Sequence, residues 1–575
     1  MPLHNADIAA IFGEIADLLE IRGENPFRIR ACRNAARTIT EFGQDIKNLF
    51  DQGGELPKLP GIGDDLHAKI HEIAATGSCR LFDRLRKEFP PAISDLLRIP
   101  GLGPKRVKVL YDRLRVRTVD ELRQAASAGK VRELPGFGEK TEARILQALA
   151  AQADQSRRYR LAIATQYADA LIAYLKQVPG VEQAVVAGSF RRMRETVGDL
   201  DLLVVAAAGS SVMEKFCTYD EVREILAQGG TRASVILKSG LQVDLRLVPA
   251  PSYGAALHYF TGSKAHNIAI RRLAQARGLK LNEYGVFRGA SRIAGDTEES
   301  VFKAVGLPYI SPELREERGE IEAARSGNLP LLITLQDIRG DLHAHTGASD
   351  GHHTVAQMAQ AAQASGLKYL AITEHSRRLA VARGLDPLQL ARQIDEIDRL
   401  NESLAGFTLL KGIEVDILED GSLDLPDAVL ARLDLVIGAV HSAFGLPRRK
   451  QTERILRAMD HRYFTLLAHP SGRLIGSREP YDVDMLKIAR KAKSRGCFLE
   501  LNAQPDRLDL HDIHCQMARD EGVLVSINSD AHSALDFAQL KYGIGQARRG
   551  WLAPGDVLNT RTLAALRPLI KRTMQ

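Results

Sequence analysis

The sequence predicts a multidomain chain of α+β and α/β class. Helical domains come first, a unit with a mixed sheet follows, and a distorted (β/α)7 barrel closes the chain. Three observations predict it. A short glycine motif recurs three times in the first 141 residues, an aspartate pair sits in an apolar strand-like run near residue 200, and seven short apolar segments alternate with amphipathic stretches after residue 336. At 575 residues the chain is too long for one core, so several are expected.

The repeat consists of LPGIGDDL at 59–66, IPGLGPKR at 99–106 and LPGFGEKT at 134–141. Each copy runs apolar, Pro, Gly, apolar, Gly and leads into residues with apolar positions three or four apart, which describes two helices joined by a glycine hairpin. The glycines let backbone N–H groups approach a phosphate at the positive end of the second helix. Gly61, Gly63, Gly101, Gly103, Gly136 and Gly138, with Lys105 beside them, are therefore the expected contacts to a nucleic-acid backbone, made without reading bases. One copy alone would be a loop or a helix cap. Three copies, with Lys105, Arg106, Lys108 and Lys140 behind the turns, favour nucleic-acid binding.

The middle of the chain carries AVVAGSFRRMRETVGDLDLLVVAAA from residue 184. Residues two apart on a strand share a face, so Asp199 and Asp201 project together while Leu200 and Leu202 enter a core. LQVDLRLV at 241–248 adds Asp244 and Arg246 by the same rule. Gathered carboxylates repel unless divalent cations bind, and oxygen ligands suit Mg2+ or Mn2+. Two such ions activate one oxygen and stabilise another, which is the chemistry of nucleotidyl transfer. Gly188, Ser189 and Arg192, at a strand end before a helix, are placed to hold a triphosphate.

The last seven apolar segments end near His345, His375, Asp416, Ser442, His469, Asn502 and His532. His343, His345, Asp350, His375, Glu414, His441, His469, Asp530 and His532 fall at or just past such ends, the face where βα barrels gather their active sites. Eleven of the sixteen histidines lie in this region. Any one of them alone reads as a hydrogen-bonded core residue; nine at equivalent positions describe a site for three divalent metals. Imidazole and carboxylate without thiolate suit Mn2+, Zn2+ or Fe2+. Clustered metals of this kind point to phosphoester hydrolysis.

Composition narrows the classes further. The five cysteines lack CxxC spacing, which argues against a disulfide framework and against a thiolate zinc site. The N-terminus has no signal-like pattern and no apolar run reaches membrane length, so no membrane partner is expected and the expected location is the cytoplasm, at the nucleoid. A net charge of +7 fits a polyanionic partner.

The segment LHYFTGSKAHNIAIRRLAQARGLKLNEYGVF at 257–287, taken with GSFRR, GDLD, VDLR and the hairpins, resembles the family X DNA polymerases over about 1–315. The histidine-rich region resembles the polymerase and histidinol phosphatase (PHP) domain over about 337–575, with all nine family ligand positions filled. The resemblance implies a lyase-like helical domain at 1–85 with the first helix-hairpin-helix, fingers at 86–152 with the second and third, and a nucleotidyltransferase palm at 153–254. A thumb at 255–315, a linker at 316–336 and a PHP phosphoesterase domain at 337–575 complete the order.

By the same resemblance Asp199, Asp201 and Asp244 are metal ligands, and Ser189, Arg192 and Gly198 meet the triphosphate. Tyr259, Phe260 and Gly262 meet the incoming sugar, Asn267 and Arg271 meet the nascent pair and template, and Arg246 orients the carboxylates. Lys69 matches the family's Schiff-base lysine, with a phosphate-touching helix lysine as the equal alternative. Asp341 is expected behind the PHP ligands, and Glu374 stands in TEH where many relatives have TDH. The implied function is repair synthesis on gapped or nicked DNA from dNTPs, with a PHP domain acting as a 3′→5′ exonuclease, an AP endonuclease or a 3′-phosphodiesterase. The alternative is a small-molecule phosphatase with a DNA-binding tether.

Overall fold

A computed structural model describes residues 5–41, 46–51, 62–89, 93–97, 99, 102–152 and 158–575. They divide into two compact units. One runs to residue 158 and includes the stretches 218–225 and 235–242; the other holds 159–217, 226–234 and 243–575. Among the described residues no helix is long and apolar enough to cross a membrane.

The first unit is helical at its N-terminal end. α1 (Asn5–Arg22) and α2 (Pro26–Glu41) bury Ile8, Phe12, Ile15, Leu19 and Ile39. α3 (Asp64–Thr76), α4 (Pro104–Leu114) and α5 (Glu139–Gln152) are the helices that follow the three glycine motifs. Their inward faces carry Ile70 and Ile73, Val107 and Leu110, and Ile145 and Leu149, the three-to-four spacing that the sequence shows. The last glycine of each motif heads its helix: the carbonyls of Gly63, Gly103 and Gly138 accept from the amides of His67 at 2.9 Å, Val107 at 3.0 Å and Glu142 at 3.0 Å. Gly61 and Gly101 lie outside the described residues.

In the second unit α6 (Leu161–Lys176) precedes β1 (Val181–Val186), the short α7 (Gly188–Arg191) and β2 (Asp199–Ala206). β1 pairs antiparallel with β2, Val186 opposite Leu202, and β3 (Gln242–Leu247) lies on the other side of β2. An inner strand is covered on both faces, which is why Leu200, Leu202, Leu203, Val204 and Val205 form an unbroken apolar run and only the aspartates at its start break the pattern. α8 (Tyr253–Thr261), α9 (Lys264–Ala276) and α10 (Glu298–Ala304) follow, sharing a core of Ile270, Ala274, Val301, Phe302 and Ile310.

The stretch expected as a linker, 316–336, is packed instead. It contains α11 (Glu320–Ser326), and Ile321, Ala324 and Leu332 join the thumb core, as does Trp551 from far along the chain. Glu320 is buried and meets His266 Nδ1 at 2.6 Å. The charged, Pro-containing composition of 311–330 suggested a tether, although Leu332 and Ile333 just after it are buried.

The remainder alternates strands and helices: β4 (Gly340–Asp341), α12 (Val355–Ala364), β5 (Tyr369–Ile372), α13 (Pro387–Ser403), β6 (Thr408–Lys411), β7 (Glu414–Asp416) and β8 (Ile437–Ala439). Then come α14 (Arg448–Met459), β9 (Leu466–Leu467), α15 (Met485–Arg495), β10 (Phe498–Asn502), α16 (Asp512–Asp520), β11 (Val525–Asn528) and α17 (Leu540–Arg549). Pairing is parallel throughout, in a three-stranded sheet β4-β5-β6 and a five-stranded sheet β7 to β11. Seven continuous strands were expected, and the third is broken into β6 and β7. The break falls at Gly412 and Ile413, across which Gly412 N still donates to the Ile372 carbonyl at 3.0 Å and Glu414 N to the Glu374 carbonyl at 2.9 Å. A parallel bridge between Ala344 and Ala531 joins the first strand position to the last, with His345 N donating to Ala531 O at 2.8 Å.

Candidate functional site

Among the described residues four groups of side chains bring ligand atoms within 4.8 Å of one another, and they fall in two places. The first place is the start of β2. Asp199, Asp201 and Asp244 converge there, because the two-residue period of β2 points the first two the same way and β3 brings the third alongside. Burial, then the charges of Asp199 and Asp244, push the Asp201 carboxyl up to about 7. A carboxylate set this crowded is a poor arrangement for three free anions and a good one for hard divalent cations. Ser234 Oγ donates to Asp244 Oδ1.

The loop after β1 folds onto this group. Gly188 has φ of 62°, and a Cβ there would collide with the Asp201 carboxylate, so only glycine fits. Ala187 N donates to Asp201 O at 2.7 Å, which fixes Ser189 and Arg192 beside the aspartates. Arg192 donates from Nε to Glu316 at 3.1 Å and from Nη1 to the Thr261 carbonyl, next to Gly262. Gly198 sits immediately before Asp199, at the turn into β2.

Tyr259 and Phe260 form an edge-to-face pair at 5.1 Å on α8. The Arg271 guanidinium lies over Tyr259 at 5.5 Å and that of Arg246 over Phe260 at 5.1 Å. Asn267 Nδ2 donates to Tyr259 O at 2.7 Å. Asn267 and Arg271, expected at the base pair, thus hold the aromatic pair in place in this conformation. Lys69 and Asp65, one turn apart on α3, form an ion pair.

The second place is the strand-end rim of the C-terminal region. His345, Asp350, His375 and His532 form one group, His343, His345 and Asp530 a second, and His375, Glu414 and His441 a third, so shared histidines link all three. Glu414 is the centre. Its carboxylate meets His343 at 3.5 Å, His345 at 3.6 Å, His375 at 2.8 Å, His441 at 3.3 Å and His469 at 2.9 Å. His469, absent from the three groups, joins the site through that contact. His345 stacks between His375 and His532 at 4.4 and 4.3 Å.

Buried polar atoms ordinarily have partners, yet His343 Nε2, both His345 nitrogens and His469 Nδ1 have no hydrogen bond among the described residues. Burial, then the neighbouring His532 and His375 imidazoles, bring His345 down to about 3, a neutral donor. Burial also opposes charge on His375, but Glu414 and Asp350 outweigh it and push that ring up to about 10. A crowded set of nitrogen and oxygen donors with orphaned lone pairs fits divalent metal.

Behind the rim lie residues that sequence reasoning missed. Glu500 accepts from His343 Nδ1 at 2.7 Å and from the His469 amide at 2.8 Å; Asp416 accepts from His441 Nδ1 at 2.6 Å. Each turns its imidazole so that Nε2 faces the cluster. Arg507 stands beside Asp530, Nε to Oδ2 at 3.9 Å. The signal for Arg507 was a cation just past β10, at the rim where the ligands lie. Asp341 accepts from the amides of His343 at 3.1 Å and Ser529 at 3.0 Å. Glu374 points away from the groups and binds the Thr346 amide at 3.1 Å and the hydroxyls of Thr346 and Ser349, holding the turn that carries Asp350.

Four family profiles match the chain: a helix-hairpin-helix domain over 3–79, a SAM-like helix-hairpin-helix tandem over 93–151, a DNA polymerase beta thumb over 256–316 and a PHP domain over 341–504. A DNA polymerase/3′-5′ exonuclease PolX of Bacillus subtilis (strain 168) is 38% identical over 574 residues, 99% of this chain and 100% of that protein. A probable phosphatase of Thermoanaerobacter sp. (strain X514) is 28% identical over 232 residues, 38% of this chain and 89% of that one. DNA polymerase lambda of Arabidopsis thaliana is 26% identical over 346 residues, 54% of this chain and 62% of that one.

Proposed function

The chain belongs to the family X DNA polymerases that carry a PHP domain, and from that premise we propose that it fills short gaps in DNA from dNTPs while its PHP domain hydrolyses DNA phosphodiesters from the 3′ end. One observation carries the reading: two separate clusters of side chains suited to divalent metal, the Asp199, Asp201, Asp244 group and the eight residues of the three linked rim groups with His469 joined through Glu414. A phosphatase with a degraded N-terminal tether has no use for the first set, and the likeness to the probable phosphatase covers 38% of this chain.

In synthesis, Asp199, Asp201 and Asp244 hold Mg2+ or Mn2+, which when bound supply charge for the attacking and leaving oxygens. Arg192 receives the triphosphate with Ser189 and Gly198, and its Nη2 makes no hydrogen bond among the described residues, leaving that nitrogen for a phosphate oxygen. Tyr259, Phe260 and Gly262 form the wall for the sugar, steadied from behind by Asn267, Arg271 and Arg246. In degradation, the rim holds three ions drawn from Mn2+, Zn2+ or Fe2+, Glu500 and Asp416 keep their histidines aimed inward, and Arg507 presents positive charge to the scissile phosphate.

The glycine hairpins hold the DNA backbone at Gly61, Gly63, Gly101, Gly103, Lys105, Gly136 and Gly138. The proposed domain limits follow the sequence, with 316–336 packed on the thumb. Lys69 is the lyase candidate, checked by borohydride trapping on DNA bearing a 5′-deoxyribose phosphate with Lys69→Ala as control.

An assay on gapped DNA tests the whole reading. Asp244→Ala is expected to abolish synthesis and spare degradation, and His343→Ala to do the reverse. Normal synthesis by Asp244→Ala contradicts the palm assignment.

A further inference from the structure

The loop that presents Ser189 and Arg192 is held from the PHP domain. Arg549, at the end of α17 and almost wholly buried, donates from Nη1 to the backbone carbonyl of Arg192 at 2.8 Å and to Glu316 at 2.9 Å. Glu316 is the same carboxylate that receives Arg192 Nε at 3.1 Å. The other face of Arg549 is fixed by Asp512 on α16 at 2.7 Å, and Asp512 is fixed in turn by Arg318 at 3.0 Å.

Two further contacts hold the same loop. Arg473, four residues after the rim residue His469, meets Glu195 at 2.7 Å. Met193, with φ of 53°, lies against Gly545 in the middle of α17, where a Cβ would stand 3.0 Å from the Met193 Cβ and collide with its Cε. Glycine inside a helix costs about 1 kcal/mol relative to alanine. The close approach of Met193 is a physical reason for Gly545.

We propose that Arg549 and Arg473 are positioning residues for the polymerase reaction, holding loop 188–196 so that Glu316 and the Thr261 carbonyl aim Arg192 with one guanidinium nitrogen open to the triphosphate. This rests on the reading that Arg192 meets the triphosphate. The arrangement is a relay: Arg549 fixes both the backbone and the carboxylate that orient Arg192, so removing it leaves Glu316 with Arg192 and the more distant Arg194 at 3.8 Å, and the loop with one anchor fewer. The PHP domain then contributes to nucleotide binding through residues that do not belong to its own rim.

Steady-state primer extension by the full-length protein tests it. Arg549→Ala is expected to raise KM for dNTP by about tenfold, the equivalent of a coupling of ordinary size between neighbouring charged groups, with kcat at saturating dNTP little changed. Glu316→Gln should move KM the same way by less. DNA degradation should be unchanged in both. Adding Arg549→Ala to Arg192→Ala should produce no further rise, which a merely structural role for Arg549 would not predict.

A rise in KM for Arg192→Ala but none for Arg549→Ala overturns the relay. If Arg192→Ala itself leaves KM unchanged, the triphosphate reading falls instead. If Arg549→Ala loses both activities together, Gly545→Ala decides in the same assay: raised KM with degradation intact supports the relay, and unchanged KM overturns it.

Discussion

Glu414 is the residue on which the C-terminal site turns, because five imidazoles converge on one buried carboxylate. The residues behind it set how well those imidazoles present a lone pair. Glu500→Gln weakens the hydrogen bond that fixes His343, and is expected to lower metal affinity about 10- to 100-fold without unfolding the chain, read by metal titration against nuclease activity. The clustering of the nine rim side chains was legible in the sequence because they fall at or just past the ends of apolar segments. Glu500 and Asp416 were not, since a carboxylate inside or at the end of a strand acquires its role only when a histidine from another strand turns toward it.

A second residue-scale prediction concerns Glu298, which takes both nitrogens of Arg191 at 3.0 and 2.6 Å and also the fully buried Arg315. Glu298→Ala leaves Arg315 buried without its carboxylate and should cost about 3–5 kcal/mol, measured by denaturant unfolding. Burial opposes the charge on Glu298, but Arg315 and Arg191 outweigh it and hold the carboxyl below its ordinary 4.5. A depressed carboxylate contributes stability above its unfolded value and loses it as pH falls through the folded one. The melting-temperature gap between the native chain and Glu298→Gln should therefore narrow below about pH 4.5.

At the scale of elements, the turn from β1 into α7 leaves no room for a Cβ on Gly188. Gly188→Ala forces a side chain into the Asp201 carboxylate at positive φ, and is expected to cost about 1–3 kcal/mol locally and to abolish synthesis while degradation continues, read on gapped DNA. The hairpin glycines behave differently. A Cβ at Gly103 meets nothing within 4 Å and the backbone there is extended, so Gly103→Ala should change stability by under about 1 kcal/mol yet, on the proposed hairpin contact to DNA, weaken binding by crowding the phosphate. Unchanged binding in a salt titration would refute that use of the hairpin. The alternation of strands and helices after residue 336 was legible from periodicity, whereas the break between β6 and β7 was not, because the apolar run continues across it through Ile413 and Val415.

At the scale of the molecule, the sequence divides cleanly into polymerase and PHP segments, and the structure joins them. The stretch 316–336, α17 and the residues just after it carry side chains that pack on the palm and thumb, with Trp551 in the thumb core and Arg549 against the backbone of Arg192. Nothing in the local pattern of either segment announces this, since an arginine near a helix end is commonplace until its acceptors are known. Two chemistries on one chain still require two metal centres, and the larger of them is the more exposed claim. Metal content of the purified chain, measured after dialysis, tests it most directly. The three linked groups predict close to three transition-metal ions per chain, with Glu414→Ala losing them and DNA degradation together while Mg2+-supported gap synthesis survives. Degradation by metal-free protein, or full metal retention in Glu414→Ala, would contradict the account.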